Sequence, residues 1–222
     1  MSKQFIHRMI TDPNAQQHYS QTRKPDTMRR LILASSSPYR RTLLQKLHLP
    51  FDSASPHINE EALPNETAPA LASRLAREKA GALSEQFPDA IIIGSDQVAE
   101  CNGRQLGKPG TSQNAVAQLR LCSGKPVTFH TGLCVLDSNS GKHTTACETF
   151  TVYFRDLERH EIERYVDLEQ PLDCAGSFKV EGLGIALFEK MEGNDINTLI
   201  GLPLIRLINL LKQFGIDPLK GA

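Results

Sequence analysis

An α/β fold built on a mixed β-sheet is what this 222-residue chain predicts. Three features carry the prediction. Short apolar runs alternate with segments of helical periodicity, each helical segment opens on a capping residue or a proline, and two long β-rich stretches flank the turn "SNSGK". The length fits one large α/β domain.

Residues 1–27 are polar, lack sustained periodicity and stop at a methionine. They are read as a disordered extension, leaving a single domain over 28–222. "RRLILAS" then predicts a short buried strand. "SPYRRTLLQKLHL" predicts a helix, with Leu43, Leu44 and Leu47 at helical spacing, Ser37 as cap and Pro38 at the first position. A second helix follows the cap Thr67 and early Pro69, with Leu71, Leu75, Ala76 and Leu83 on one side. "AIIIGSD" is the next strand, its apolar run ending at Gly94 so that Ser95 and Asp96 fall where strand meets loop.

Asn102-Gly103 is a hairpin signal leading into "GKPG", after which Thr111 or Ser112 caps a helix through Leu121. "PVTFHTGLCVLD" and "TTACETFTVYFRDL" read as an antiparallel pair long enough to extend the sheet beyond a compact sandwich. "LERHEIERYVDL" predicts a helix behind the cap Asp156, "AGSFKVEGLGIALFEKMEGN" alternates glycine turns with a strand, and Pro203 opens a last apolar helix.

Charge is balanced, 25 basic against 25 acidic residues, so no global field draws the chain to nucleic acid or an anionic membrane. The five cysteines (Cys101, Cys122, Cys134, Cys147, Cys174) form no CxxC pair and are odd in number, which suggests a reducing cytoplasm and buried thiols rather than zinc. No run reaches the ~18 apolar residues of a membrane span. A soluble cytoplasmic protein is expected.

Two segments offer chemistry. At "SSSPYRR", a strand enters a capped helix whose orphan N–H groups and dipole favour an anion, with hydroxyls and an arginine fork alongside; the same residues also serve as a plain cap with solvated arginines. At "IIIGSDQVAE", Asp96 could orient or deprotonate water or hold a metal, or could simply close a turn. Glu60, Lys79 and Lys108 add a carboxylate and two cations, each unremarkable singly. Other motifs fail: "SGKP" lacks the first P-loop glycine, "EGLGIAL" stops at GxG, and "HEIER" places Arg164 where a zinc protease needs histidine.

Taken in order, "LASSSPYRRTLL", "IIIGSDQV", "LGKP", "AGSFKVEGLG" and "GLPL" resemble the Maf family of nucleotide pyrophosphatases from about Met28 to the final helix. The resemblance implies an elongated sheet flanked by helices around a central cleft, similar to inosine triphosphate pyrophosphatases. It also implies a divalent metal (magnesium, manganese or cobalt) and cleavage of the α,β-phosphoanhydride of a nucleoside triphosphate. By position, Asp96 matches the proton acceptor, Ser35, Ser37, Arg40, Lys79 and Lys108 the phosphate-binding set, and Glu60 metal or polar support. Arg41 has a supporting role at most.

Tyr39, Gln97 and Glu181 stand where many relatives have arginine, threonine and glutamine, the set that accompanies dTTP and UTP. The set found here resembles the branch acting on 7-methyl-GTP. An aromatic face can stack on the cationic methylated guanine, and a carboxylate can accept from its N–H groups. The alternatives are the same reaction on dTTP or UTP, or a nucleotide-binding regulator of cell division. A homodimer is consistent with the family, and no sequence feature singles out a protein partner.

Overall fold

The computed structural model describes residues 29–220. The extension expected over 1–27 lies outside them. A seven-stranded mixed sheet forms the middle layer, with the order β2-β1-β3-β5-β6-β7 and β4 paired to β3. Its strands are β1 (Arg30–Ala34), β2 (Asp52–Ala54), β3 (Ala90–Cys101), β4 (Arg104–Leu106), β5 (Pro126–Asp137), β6 (His143–Phe154) and β7 (Phe188–Gly193). The helices are α1 (Pro38–Gln45), α2 (Ala68–Gly81), α3 (Ser112–Cys122), α4 (Arg159–Glu169), α5 (Asn197–Ile200) and α6 (Leu204–Lys212). β1 runs parallel to β2 and β3, whereas β3, β5, β6 and β7 run antiparallel in succession.

The continuous apolar runs of β1 and β3 arise because both sheet faces are covered there. Leu31, Leu33, Ile91 and Ile93 pack toward Leu43 and Leu44 of α1 and Leu207, Leu210 and Leu211 of α6. Ile32, Ala34 and Ile92 face Ala76 and Ala80 of α2 on the other side. A separate cluster lies between the far end of the long hairpin and helices α3 and α4. In it Phe178 meets Phe129, Phe154 and Phe188 edge to face, with centroids 5.4, 5.8 and 4.8 Å apart. Among the described residues no helix is long and apolar enough to cross a membrane.

Ser37 caps α1 by accepting from the Arg40 N–H, with Pro38 in the first turn, and Thr111 caps α3 by accepting from the Asn114 N–H. Thr67 occupies the cap position of α2 without a side-chain hydrogen bond. The cap expected at Asp156 is displaced to Glu158, which forms a reciprocal capping box with Glu161. That arrangement satisfies two orphan donors, where a single aspartate would satisfy one.

The other correction concerns β3. Ser95 and Asp96 do not stand at a strand end; the strand continues to Cys101. What ends is the neighbour: β1 stops at Ala34, opposite Gly94, while β5 keeps pairing with β3 through Asp96 and Gln97, opposite Gly132 and Thr131. Polar residues remain in strand conformation because β5 supplies the ladder, and the missing neighbour opens a cleft along the exposed edge of β3.

Candidate active site

The residues just past Gly94 alternate between the two faces of the sheet, as the period of a strand requires. Asp96 points to the α2 face, where its carboxylate accepts from Lys79 Nζ at 2.5 Å. Both groups are buried, with side chains 10% and 7% exposed. The same ammonium lies 2.8 Å from Glu60 Oε1, whose side chain is 56% exposed. Lys79 has three donors, so two carboxylates leave one N–H for a further acceptor.

Glu60 sits on a loop that α2 also anchors. Arg74 donates from Nε and Nη2 to the two Glu66 carboxylate oxygens at 2.8 Å each, and from Nη2 to the Glu61 carbonyl at 2.9 Å. The fork geometry fixes the chain on both sides of the turn. Partial burial pushes the Glu60 carboxyl up, but its hydrogen bond to Lys79 and the charges of Lys79, Lys108 and Arg40 bring it below the ordinary glutamate value.

The opposite face of β3 carries Ser95 and Gln97. Ser95 Oγ contacts the carbonyls of Gly132 and Gly201 at 2.9 and 3.0 Å, and Arg40 Nε donates to the same Gly201 carbonyl at 2.8 Å. This ties the first turn of α1 to the sheet. Burial lowers the Arg40 guanidinium, while the facing carboxylates of Asp96 and Glu60 pull it back up. Gln97 Nε2 donates toward Thr131 Oγ1 and the carbonyls of Thr198 and Leu199 at 3.0, 2.8 and 3.1 Å. Two of those partners are obligate acceptors, which assigns the amide nitrogen to that side and leaves the side-chain oxygen as an acceptor.

The strand-to-helix junction forms the adjacent wall. Ser35 Oγ accepts from the Ser37 N–H at 3.1 Å, and Ser37 Oγ accepts from the Arg40 N–H at 3.4 Å. Each hydroxyl therefore retains its own hydrogen for a ligand oxygen. Arg41, next along α1, is exposed and lies outside the cleft lining.

All ten residues selected from sequence, Ser35, Ser37, Tyr39, Arg40, Glu60, Lys79, Asp96, Gln97, Lys108 and Glu181, line one cleft of about 690 Å³. Sequence reasoning missed Asp173 and Cys174, which line the same cleft beside Tyr39. The Tyr39 hydroxyl is raised by burial, then by Cys174, Asp173, Glu181 and Glu169. Burial pushes the Cys174 thiol up to about 12. No motif marks this acidic end of the cleft; its only sequence signal is position, immediately before "AGSF".

The donor set is compatible with a divalent cation that arrives with phosphate. Asp96 and Glu60 both reach one ammonium, and magnesium commonly takes one or two carboxylates with phosphate and water oxygens as the remainder. Among the described residues no three histidine, cysteine or acidic side chains cluster closely enough to hold a metal by themselves.

Known proteins similar to this chain share its extent. A protein named 7-methyl-GTP pyrophosphatase from Colwellia psychrerythraea is 56% identical over 192 residues, covering 86% of this chain and 96% of its own. Proteins of the same name from Hahella chejuensis and Pseudomonas aeruginosa are 57% and 55% identical, each over 84% of this chain and 94% and 97% of their own. The Staphylococcus aureus Ham1 protein is similar at 13% identity and a TM-score of 0.42, over 78% of this chain and 96% of that one, a likeness too remote to bear on the chemistry. The profile of the Maf-like protein family matches residues 30–214, from the first strand to the last helix, and the chain belongs to that family.

Proposed function

We propose that the protein hydrolyses 7-methyl-GTP to 7-methyl-GMP and diphosphate. The observation that carries this reading is the division of one cleft into two chemical ends. A carboxylate–ammonium group of Asp96, Lys79 and Glu60 lies at one end, and Tyr39, Glu181 and Asp173 lie at the other.

At the first end, Asp96 accepts the proton of the attacking water, and Lys79 holds that carboxylate in place while offering its remaining N–H to phosphate. Ser35, Ser37, Arg40 and Lys108 supply hydroxyl and cationic donors along the triphosphate. Asp96 and Glu60 would hold a divalent cation, which when bound draws charge from the departing diphosphate.

At the second end, Tyr39 offers an aromatic face and Glu181 a carboxylate, while Gln97, on the α5 side of β3, offers the cleft a side-chain oxygen. Methylation at N7 makes guanine cationic, so an aromatic face within an acidic surrounding favours it over neutral guanine. The names of the relatives point to the same substrate.

Diphosphate release by the wild type and by Asp96→Asn, measured with magnesium across 7-methyl-GTP, GTP, UTP, dTTP and inosine triphosphate, tests the reading. The expected result is preferential turnover of 7-methyl-GTP, with Asp96→Asn retaining nucleotide binding but losing hydrolysis. A pyrimidine preference would overturn the base assignment while leaving the chemistry. No turnover of any nucleotide would overturn the reaction itself and favour a nucleotide-binding regulator.

A further inference from the structure

Among the described residues six non-glycine residues have positive φ, and five of them, His48, Asn65, Asp89, Asn102 and Gln170, are exposed. The sixth, Ser177, is fully buried at φ 63 and follows Gly176 at φ 77. A left-handed serine persists in a core only when its surroundings over-determine it. Here two hydrogen bonds hold it: the Ser177 N–H donates to the Cys174 carbonyl at 3.1 Å, and Ser177 Oγ donates to Gln118 Oε1 at 2.6 Å.

Gln118, on α3, uses its other amide atom elsewhere. Its Nε2 donates to the Gly107 carbonyl at 3.1 Å, immediately before Lys108. A carbonyl can only accept, so Gln118 nitrogen faces Gly107, its oxygen faces Ser177, and the serine must be the donor. A second bond joins the same segments, from the Gly110 N–H to the Leu172 carbonyl at 3.0 Å. Downstream of Ser177, Phe178 lines the cleft, the Lys179 N–H donates to Tyr165 Oη at 2.9 Å, and Glu181 follows.

We infer that Gln118 and Ser177 are positioning residues that couple the base-recognising segment carrying Glu181 to the phosphate-binding loop carrying Lys108. The inference rests on the reading of the cleft given above. Neither residue lines the cleft. Beside the Gly110–Leu172 backbone bond, Gln118 supplies the side-chain link that runs from the Ser177 turn to Gly107, so a base that seats correctly against Glu181 also sets Lys108 against the phosphates. Discrimination between bases then registers in kcat as well as in KM.

A mutant cycle on hydrolysis of 7-methyl-GTP measures the coupling. In the otherwise wild-type protein, Lys108→Ala and Glu181→Gln are expected to be non-additive in kcat/KM by about fivefold or more. In a Gln118→Ala background the same two changes are expected to combine multiplicatively to within about twofold. Gln118→Glu should behave like Gln118→Ala, because it keeps an acceptor for Ser177 but has no N–H for Gly107, while Ser177→Ala cuts the link from the other side. A thermal melt on each variant registers any general loss of structure, which would not restore additivity selectively.

Additivity already present without a change at Gln118, or coupling that survives Gln118→Ala and Gln118→Glu, would overturn the inference. Failure of the cleft reading is distinguishable, because it appears as absent turnover in the wild type or unimpaired turnover in Asp96→Asn, neither of which involves a change at Gln118 or Ser177.

Discussion

Gly94 and Ala76 meet backbone to backbone: a Cβ on Gly94 would lie 2.0 Å from the Ala76 carbonyl oxygen and 2.9 Å from the Ala80 nitrogen. The absence of a side chain lets α2 lie directly on β3. Lys79, three residues beyond Ala76, thereby reaches Asp96, two residues beyond Gly94. Gly132 on β5 makes the matching approach to the Ala72 carbonyl, at 2.1 Å for a Cβ built there. Gly94→Ala should therefore lift α2 from the sheet, destabilising the fold by about 3 kcal/mol or more and reducing turnover. Urea denaturation checks the first effect, and diphosphate release at a temperature where the variant remains folded checks the second.

Base preference should follow the side chains at the acidic end of the cleft. Replacing Tyr39, Gln97 and Glu181 together by Arg, Thr and Gln should move the ratio of kcat/KM for 7-methyl-GTP over UTP toward the pyrimidine by about tenfold to a hundredfold. Asp173→Asn alone should weaken the preference for 7-methyl-GTP over GTP in the same direction, because it removes a negative charge near Tyr39. Competition assays with paired nucleotides would measure both ratios directly.

The clamp that holds the Glu60 loop should resist acid. The Arg74 hydrogen bonds bring the Glu66 carboxyl down to about 2. The free value is about 4.3, so below it the unfolded chain takes up a proton that the folded chain refuses. Stability contributed by the pair is complete above about pH 4.3 and is lost as pH falls through about 2. A carboxyl-selective NMR titration should place Glu66 near the lower value, and Glu66→Gln should flatten this part of the pH dependence of unfolding. Arg74→Met should lower turnover, since it releases the loop that carries Glu60.

Metal dependence should report on Glu60. Chelation with EDTA should stop turnover reversibly, and Glu60→Gln should raise the magnesium concentration needed for half-maximal activity by about tenfold with little change in melting temperature. The modest thermal effect follows from position: Glu60 is more than half exposed, whereas its partner Lys79 keeps Asp96 as a buried counter-ion.

Local pattern made much of this architecture legible. Leu31–Ala34 and Ile91–Ile93 announced buried strands, Ser37 and Thr111 announced their helices, and Asn102-Gly103 announced the turn between β3 and β4. All ten residues chosen for the site share one cleft because the Ser35–Arg40 junction, the α2 residue Lys79, and the Glu60, Lys108 and Glu181 segments are gathered around Asp96 and Gln97 in the middle of β3. The strand status of Asp96 was not legible, since its pairing depends on β5, a partner 36 residues away at Gly132. Glu158 displaced Asp156 as cap because Glu161 could reciprocate, a competition between near neighbours that single-residue preference does not resolve. The bonds from Ser95 and Arg40 to Gly201, and from Ser177 to Gln118, join segments with no mutual sequence signal.

The alternation along β3 has an evolutionary consequence. Asp96 addresses the α2 side, while Gln97, the next residue, addresses the α5 side through Thr198 and Leu199. On the proposed reading, the proton acceptor and a residue facing the base are thus neighbours in the gene whose side chains leave opposite faces of one strand. A point substitution on one side can explore new nucleobases without disturbing the other, whereas a one-residue slip of the strand would exchange the two roles and abolish both. Substitution at Gln97 therefore leaves the facing of Asp96 unchanged, whereas an insertion between them would reverse the facing of every residue on one side of it unless a bulge absorbed it.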